Sequence, residues 1–151
     1  MIAGIGAASE VEPRVYTIVD EALVAVHLTL LRPDGSGKAE VQSTKLIIGQ
    51  RSAGFPICLA PPNDLLGVAI TEGIEDGLSM HEATGLGVWA AGCANRFPAL
   101  ADRVPEFIDT VTVVADADAT GARYASDLHR KLLNRGLHAE LLTLSGRRAA
   151  A

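Results

Sequence analysis

Thr110 to Ala125 reads T-V-T-V-V-A-D-A-D-A-T-G-A-R-Y-A, and its two halves ask for different backbones. Val111, Val113 and Val114 are β-branched and favour a pleated, buried strand, while Thr120-Gly121 and the segment behind them follow the helical period. The strand therefore ends where Asp116 and Asp118 begin. Spaced by two, these acids share one side of any residual strand, with Cα atoms roughly 6–7 Å apart, and can share a cation. In an open α/β sheet, ligands bind at the carboxyl ends of strands, just ahead of the following helix. Asp118 is equally placed to cap a helix starting near Ala119, and Asp116 to serve as a turn acid, so the doublet alone leaves both roles open.

Outward from this strand the chain alternates. Leu65 to Thr71 reads as a buried strand, Gly73 to Thr84 as an amphipathic helix, Leu86 to Ala91 as a strand and Arg96 to Ala101 as a short helix. Ala119 to Arg135 is the longest helix, closed by Gly136, and His138 to Leu144 is the last strand. Such a series predicts an α/β fold with a mostly parallel sheet, helices on its faces and right-handed crossovers.

Ala60-Pro61-Pro62-Asn63-Asp64 interrupts both strand and helix, and a boundary is expected there. Ahead of it, Val15 to Val19 and Ala22 to Leu31 look like strands. Pro33 to Gly37 is a turn, and Lys38 to Thr44 is expected to return as a second hairpin strand before Leu46-Ile47-Ile48-Gly49. The expected organisation is a poorly ordered lead-in over 1–13, a small β-rich subdomain over 14–64, the α/β domain over 65–144 and a flexible tail over 145–151.

Of the 151 residues, 48% are hydrophobic and only 4% aromatic, which suits one core of Ala, Val, Leu and Ile. A net charge of −5 argues against gripping nucleic acid through a global field, so a phosphate partner must be held locally. No apolar run reaches the length of a membrane span, and Met1 to Ser9 lacks the positive start of a secretory signal. A cytoplasmic protein without a membrane partner is expected. Cys58 and Cys93 form no C-x-x-C, and His27, His81, His129 and His138 have no ligand spacing. Gly37-Lys38 lacks the remaining residues of a phosphate loop.

The partner for Asp116 and Asp118 lies at the end of the first strand of the series, where V-A-I-T runs into Glu72-Gly73-Ile74-Glu75-Asp76. If the two strands are parallel neighbours, Glu72 and the Asp pair leave the same sheet edge. Gly73, without a Cβ, admits substrate or backbone closely. Converging carboxylates repel one another, and a divalent cation with oxygen ligands and open water positions, of which Mg²⁺ is the natural case, removes that penalty. Glu75 and Asp76 also suit the first turn of a helix. Arg123, Arg130, Lys131 and Arg135 read as a solvated helix face, with Arg123 near enough to the acids to meet a phosphate. Lys38, Lys45 and Arg51 read as hairpin surface.

Glu72-Gly73 after one strand and Asp-x-Asp-x-x-Gly after another, some forty residues on, resemble the Toprim domain shared by bacterial primases, topoisomerases and some nucleases. E-G-I-E-D-G-L-S-M, with Asp76 in place, V-W-A-A-G-C-A with its closing Gly92, and V-T-V-V-A-D-A-D-A-T-G-A-R-Y-A are most similar to the DNA primase branch of bacteria, phages and plasmids. P-D-G-S-G-K followed by T-K-L-I-I-G weakly resembles the hairpin leading to a nucleotide-contacting lysine, here Lys45.

The resemblance implies a Toprim-type, Rossmann-like sheet and Mg²⁺ or Mn²⁺ held by Glu72, Asp116 and Asp118, with Asp76 as a further match. It also implies phosphoryl (nucleotidyl) transfer in DNA replication, with single-stranded DNA and nucleotides as partners and a helicase or further domains alongside. Glu72 could instead act as general acid or base. Strand cleavage by a Toprim nuclease or topoisomerase, and a non-catalytic binding module, are the alternatives. The pattern is departed from where A-E-V-Q-S-T stands between Lys38 and Lys45, without an arginine found in the bacterial primases. The chain also shows neither a zinc ribbon nor a helicase segment.

Overall fold

The computed structural model describes residues 1–7, 9–12, 15–18, 20–50 and 52–144. Its strands are β1 (Ile2–Gly6), β2 (Ser9–Glu12), β3 (Val15–Thr17), β4 (Leu23–Thr29), β5 (Lys45–Gly49), β6 (Ile57–Ala60), β7 (Gly67–Thr71), β8 (Gly87–Ala90), β9 (Thr110–Ala115) and β10 (His138–Thr143). The α-helices are α1 (Ile74–Thr84), α2 (Phe97–Leu100) and α3 (Ala119–Asn134). A five-stranded sheet runs in the order β10-β9-β7-β8-β6, beside a three-stranded sheet β1-β4-β5 and a two-stranded ribbon β2-β3. Within the five-stranded sheet only β6 is antiparallel to its neighbour. This is the mostly parallel, helix-flanked α/β sheet that the alternation predicts.

Every residue of β7 and β8 is buried, as expected where helices cover both faces of a parallel sheet. On one face Ala125, Leu128 and Leu132 form an apolar stripe of α3 that packs with Phe97 and Leu100 onto Val68, Ile70, Val111 and Val113. On the other face α1 lies so close that a Cβ on Gly77 would stand 2.7 Å from Leu59 Cδ1 and 2.9 Å from Val88 Cγ1. Only glycine permits that approach. Past its cap residue Arg135, α3 is closed by Gly136 at φ 80°. Among the described residues, no helix is long and apolar enough to cross a membrane.

The first part of the chain departs from its reading in three places. Residues 2–6 are not a disordered lead-in: β1 pairs antiparallel with β4, Ile2 opposite Leu28. Ile5 is fully buried with Ala25, Ile57, Ile74 and Ala90, so the order of this small apolar run comes from its neighbour, not from any local period. The hairpin's second strand is Lys45–Gly49, and 38–44 is a loop in which Val41 is exposed. The expected boundary at Pro61-Pro62 does not separate the layers, because β6 lies ahead of it and completes the five-stranded sheet against β8. Pro13, Arg51 and the expected tail over 145–151 lie outside the described residues.

Candidate active site at the carboxyl edge of the parallel sheet

β7 and β9 are direct neighbours, with Gly67 opposite Thr110 and Ile70 opposite Val113. The ladder ends at Ile70 and Val113, and β7 and β9 run parallel to the same edge, where Thr71 and Ala115 are their last residues. Glu72 and Asp116 therefore leave the same edge side by side. The turn off β7 is held by the buried Thr71, whose hydroxyl donates to the Gly73 carbonyl at 2.8 Å. The Gly92 N–H donates to the Glu72 carbonyl at 2.9 Å. Gly73 is the extended N-cap of α1, and Glu75 and Asp76 occupy its first turn.

Asp118 is the N-cap of α3, its Oδ1 accepting the N–H groups of Thr120 and Gly121. The capping role left open by the sequence is thus present, and it uses one carboxylate oxygen. Gly121 sits against the other acid: a Cβ there would lie 3.2 Å from Asp116 Cβ. A side chain at this position would press on Asp116.

The acids act on one another. Burial raises the Glu72 carboxyl above its ordinary range and the charges of Asp116 and Asp118 raise it further, while Lys45 and a hydrogen bond from the Ala94 N–H oppose the shift. Asp116 is raised by burial, then by Asp76 and Asp118, again against Lys45. Lys45 comes from the other sheet. It stands opposite Thr29 in the β4–β5 ladder, and Thr29 is on the buried face of β4, so the lysine shares the face turned toward the acid edge. In the same hairpin, Lys38 Nζ reaches Glu75 Oε1 at 3.5 Å. Arg123 is turned differently: its guanidinium lies 4.5 Å from the centroid of the Tyr124 ring.

Among the described residues, no group of three or more His, Cys, Asp or Glu side chains is drawn together closely enough to hold a metal ion by itself. That arrangement does not fit a structural zinc site, whose ligands converge tetrahedrally. Carboxylate oxygens are the donor type that Mg²⁺ and Mn²⁺ take, usually one or two of them with substrate phosphates and several waters. The acids at this edge are all carboxylates, and the effect of the Asp116 charge on Glu72 is opposed by the positive charge of Lys45.

Two features have no local sequence signal. Arg96, 9% exposed, donates from Nε to Ala91 O at 2.7 Å, from Nη1 to Ser52 Oγ at 3.0 Å and from Nη2 to Ser52 O and Phe55 O at 2.6 and 2.9 Å. It ties the connection ahead of β6 to the end of β8, two residues from Ala94. The other feature is β4, where Val24, Val26 and Leu28 are the more apolar alternate set, yet Ala25, His27 and Thr29 face inward.

Comparison with known proteins places this geometry in a family. Among solved structures, the chain is similar to a DNA primase domain from Pseudomonas aeruginosa, with a TM-score of 0.55 and 11% sequence identity. The match covers 96% of this chain and 50% of that one, so the chain spans half the length of that structure. At this identity the likeness concerns the fold. No curated protein matches. Residues 67–149, more than half of the chain and inclusive of Glu72, Asp116 and Asp118, match the Toprim domain, and the chain belongs to the Toprim family.

Proposed function

We propose that this protein carries out Mg²⁺- or Mn²⁺-dependent nucleotidyl transfer on nucleic acid, in a primase-like role in DNA replication. The observation that carries the reading is the emergence of Glu72 and Asp116 from adjacent parallel strands, with the charge of Asp116 raising the Glu72 carboxyl. A bound divalent cation would supply neutralisation of the substrate phosphates and easier deprotonation of an attacking hydroxyl. Glu72, Asp116 and Asp118 would hold it, with Asp76 adding negative charge beside Asp116.

The chain's own side chains divide the remaining work. If the cation is held by Asp116 and Asp118 alone, Glu72, with its raised proton affinity, is suited instead to take a proton from a hydroxyl or return one to a leaving oxygen. Asp118 is fixed by its two N–H donors and presents its second oxygen without rotamer search. Lys45 offers an ammonium to a phosphate from across the seam, and Gly73 leaves room for backbone-close approach. Arg123, on the exposed side of α3, is available to a strand passing the edge. Single-stranded DNA and nucleotides are the proposed partners. With half the primase domain's length present, a helicase or further domains would supply the rest of template handling.

The test is to incubate the protein with single-stranded DNA, ribonucleotides and Mg²⁺ and to resolve the products. New primers support the proposal. Cut strands would replace it with a Toprim nuclease, and neither product, with cation bound, with a binding module.

A further inference from the structure

β5 ends the three-stranded sheet on one side, and among the described residues no strand pairs with its far edge. Its ladder with β4 sets Leu46 opposite Leu28, Ile47 opposite His27 and Ile48 opposite Val26. One pair ahead of that ladder, the Leu30 N–H donates to the Thr44 carbonyl at 2.8 Å. Bonded and non-bonded pairs alternate in an antiparallel ladder, so Leu46 and Ile48 direct their backbone groups to β4 while those of Ile47 turn outward.

That edge lacks the usual protection. Natural sheets blunt an open edge with charge, proline or a bulge, whereas the middle of β5 is Leu46-Ile47-Ile48, exposed by 42%, 39% and 57%. Ile47 lies on the same face as the buried His27 opposite it, yet the five-stranded sheet leaves it partly uncovered. An added strand therefore finds room on both faces. The other edge of this sheet differs: Gly6 of β1 donates its N–H to the Pro56 carbonyl at 3.2 Å, and Ile5 is fully buried.

We propose that β5 is an interface on which a second copy of this chain adds its own β5, antiparallel, about a two-fold axis at Ile47. The register selects a copy of the same strand. With Ile47 opposite Ile47 of the second copy, their outward N–H and C=O groups exchange both bonds. Leu46 then meets Ile48 across the axis on the outer face, and Lys45 meets Gly49, so no like charges stand opposed. The Lys45 carbonyl accepts the Ser43 hydroxyl at 2.9 Å and keeps a second lone pair for the added strand. Isologous pairing of this kind occupies both open edges and stops at two copies. The two three-stranded sheets become one, and their apolar outer faces, with Val26 and Leu28 beside Ile48 and Leu46, become continuous.

Sedimentation equilibrium tests the pairing. One added strand buries less than a standard interface, so a dissociation constant of about 10–100 µM is expected. It should tighten as salt rises, because each copy carries a net charge of −5. Ile47→Lys and Ile47→Glu each set like charges across the axis and should weaken association at least about tenfold when alone. Mixed in equal amounts they set opposite charges there, and association should return. Ile47→Pro deletes an N–H that the β4 ladder does not use and should abolish the dimer with no charge introduced. Position 47 is part-exposed, so all three variants should keep the circular dichroism of the parent. A parent that stays monomeric to roughly 1 mM overturns the proposal, as does association of parental strength in any folded variant alone. A mixture of folded charge variants no tighter than its components overturns the two-fold at Ile47, and species larger than a dimer overturn it as well.

Discussion

Asp118 Oδ1 accepts the Gly121 N–H at 2.8 Å, and the same oxygen takes the Thr120 N–H at 2.8 Å. One carboxylate thus starts α3 and borders the acid edge. The two roles separate by substitution. Asp118→Ala should lose about 1 kcal/mol of stability through the missing cap, whereas Asp118→Asn retains an N-cap acceptor and should stay near the parent. Both remove the charge and should weaken Mn²⁺. Urea unfolding would therefore divide the two variants that a Mn²⁺ titration groups together, and equal stabilities would show that the cap contributes nothing.

Gly77→Ala tests the packing of α1. In an exposed helix the change would gain about 1 kcal/mol. Here the new methyl meets Leu59, Val88 and Thr71 Oγ1 at 2.7, 2.9 and 3.0 Å, and overpacking of this kind costs about 1–3 kcal/mol. A net loss of stability is expected, with α1 pushed outward and the Glu72 turn disturbed. A stabilised variant would contradict the close approach.

Arg96→Lys keeps the charge and discards the planar fork. Ser52, Phe55 and Ala91 lose donors that an ammonium cannot supply together. Stability should fall by about 2–4 kcal/mol. Hydrogen exchange should accelerate first in the connection ahead of β6. Unfolding indistinguishable from the parent would mean that the clamp is dispensable.

His27 sets a pH dependence. Burial, with Lys45 and Arg96 outweighing Glu75, holds its pKa below the ordinary 6.5. As pH falls through 6.5 the unfolded chain takes up a proton that the folded chain refuses, so stability declines until the depressed folded value is passed. His27→Phe has no such term. Melting temperatures followed from roughly pH 8 to 5 should show the parent falling relative to the variant below that ordinary value. Parallel curves would contradict it.

The α/β half was legible because each of its signals is local. β-branched runs end in acids or glycine, α3 carries a clean period, and Gly136 stops it. The placing of Glu72 and Asp116 after two strands was equally local, while their adjacency depended on the strand order β9-β7-β8, which no periodicity specifies. What stayed hidden is long-range. Arg96 finds Ser52 and Phe55 forty-four and forty-one residues upstream. β1 is ordered only by pairing with β4. The strand after the turn begins only at Lys45 because 38–44 has alternation but almost no apolar residue to bury. The inward face of β4 went unread because Val24, Val26 and Leu28 make the stronger pattern, and a buried polar face against that pattern is what a functional site produces.

The central claim is that Glu72 and Asp116 share a divalent cation, and Mn²⁺ binding followed by electron paramagnetic resonance tests it most directly. The parent should bind Mn²⁺, Glu72→Gln and Asp116→Ala should each bind at least about tenfold more weakly, and Lys45→Met, which removes a positive charge acting on both acids, should bind no less tightly. Parental affinity in both acid variants would contradict the account.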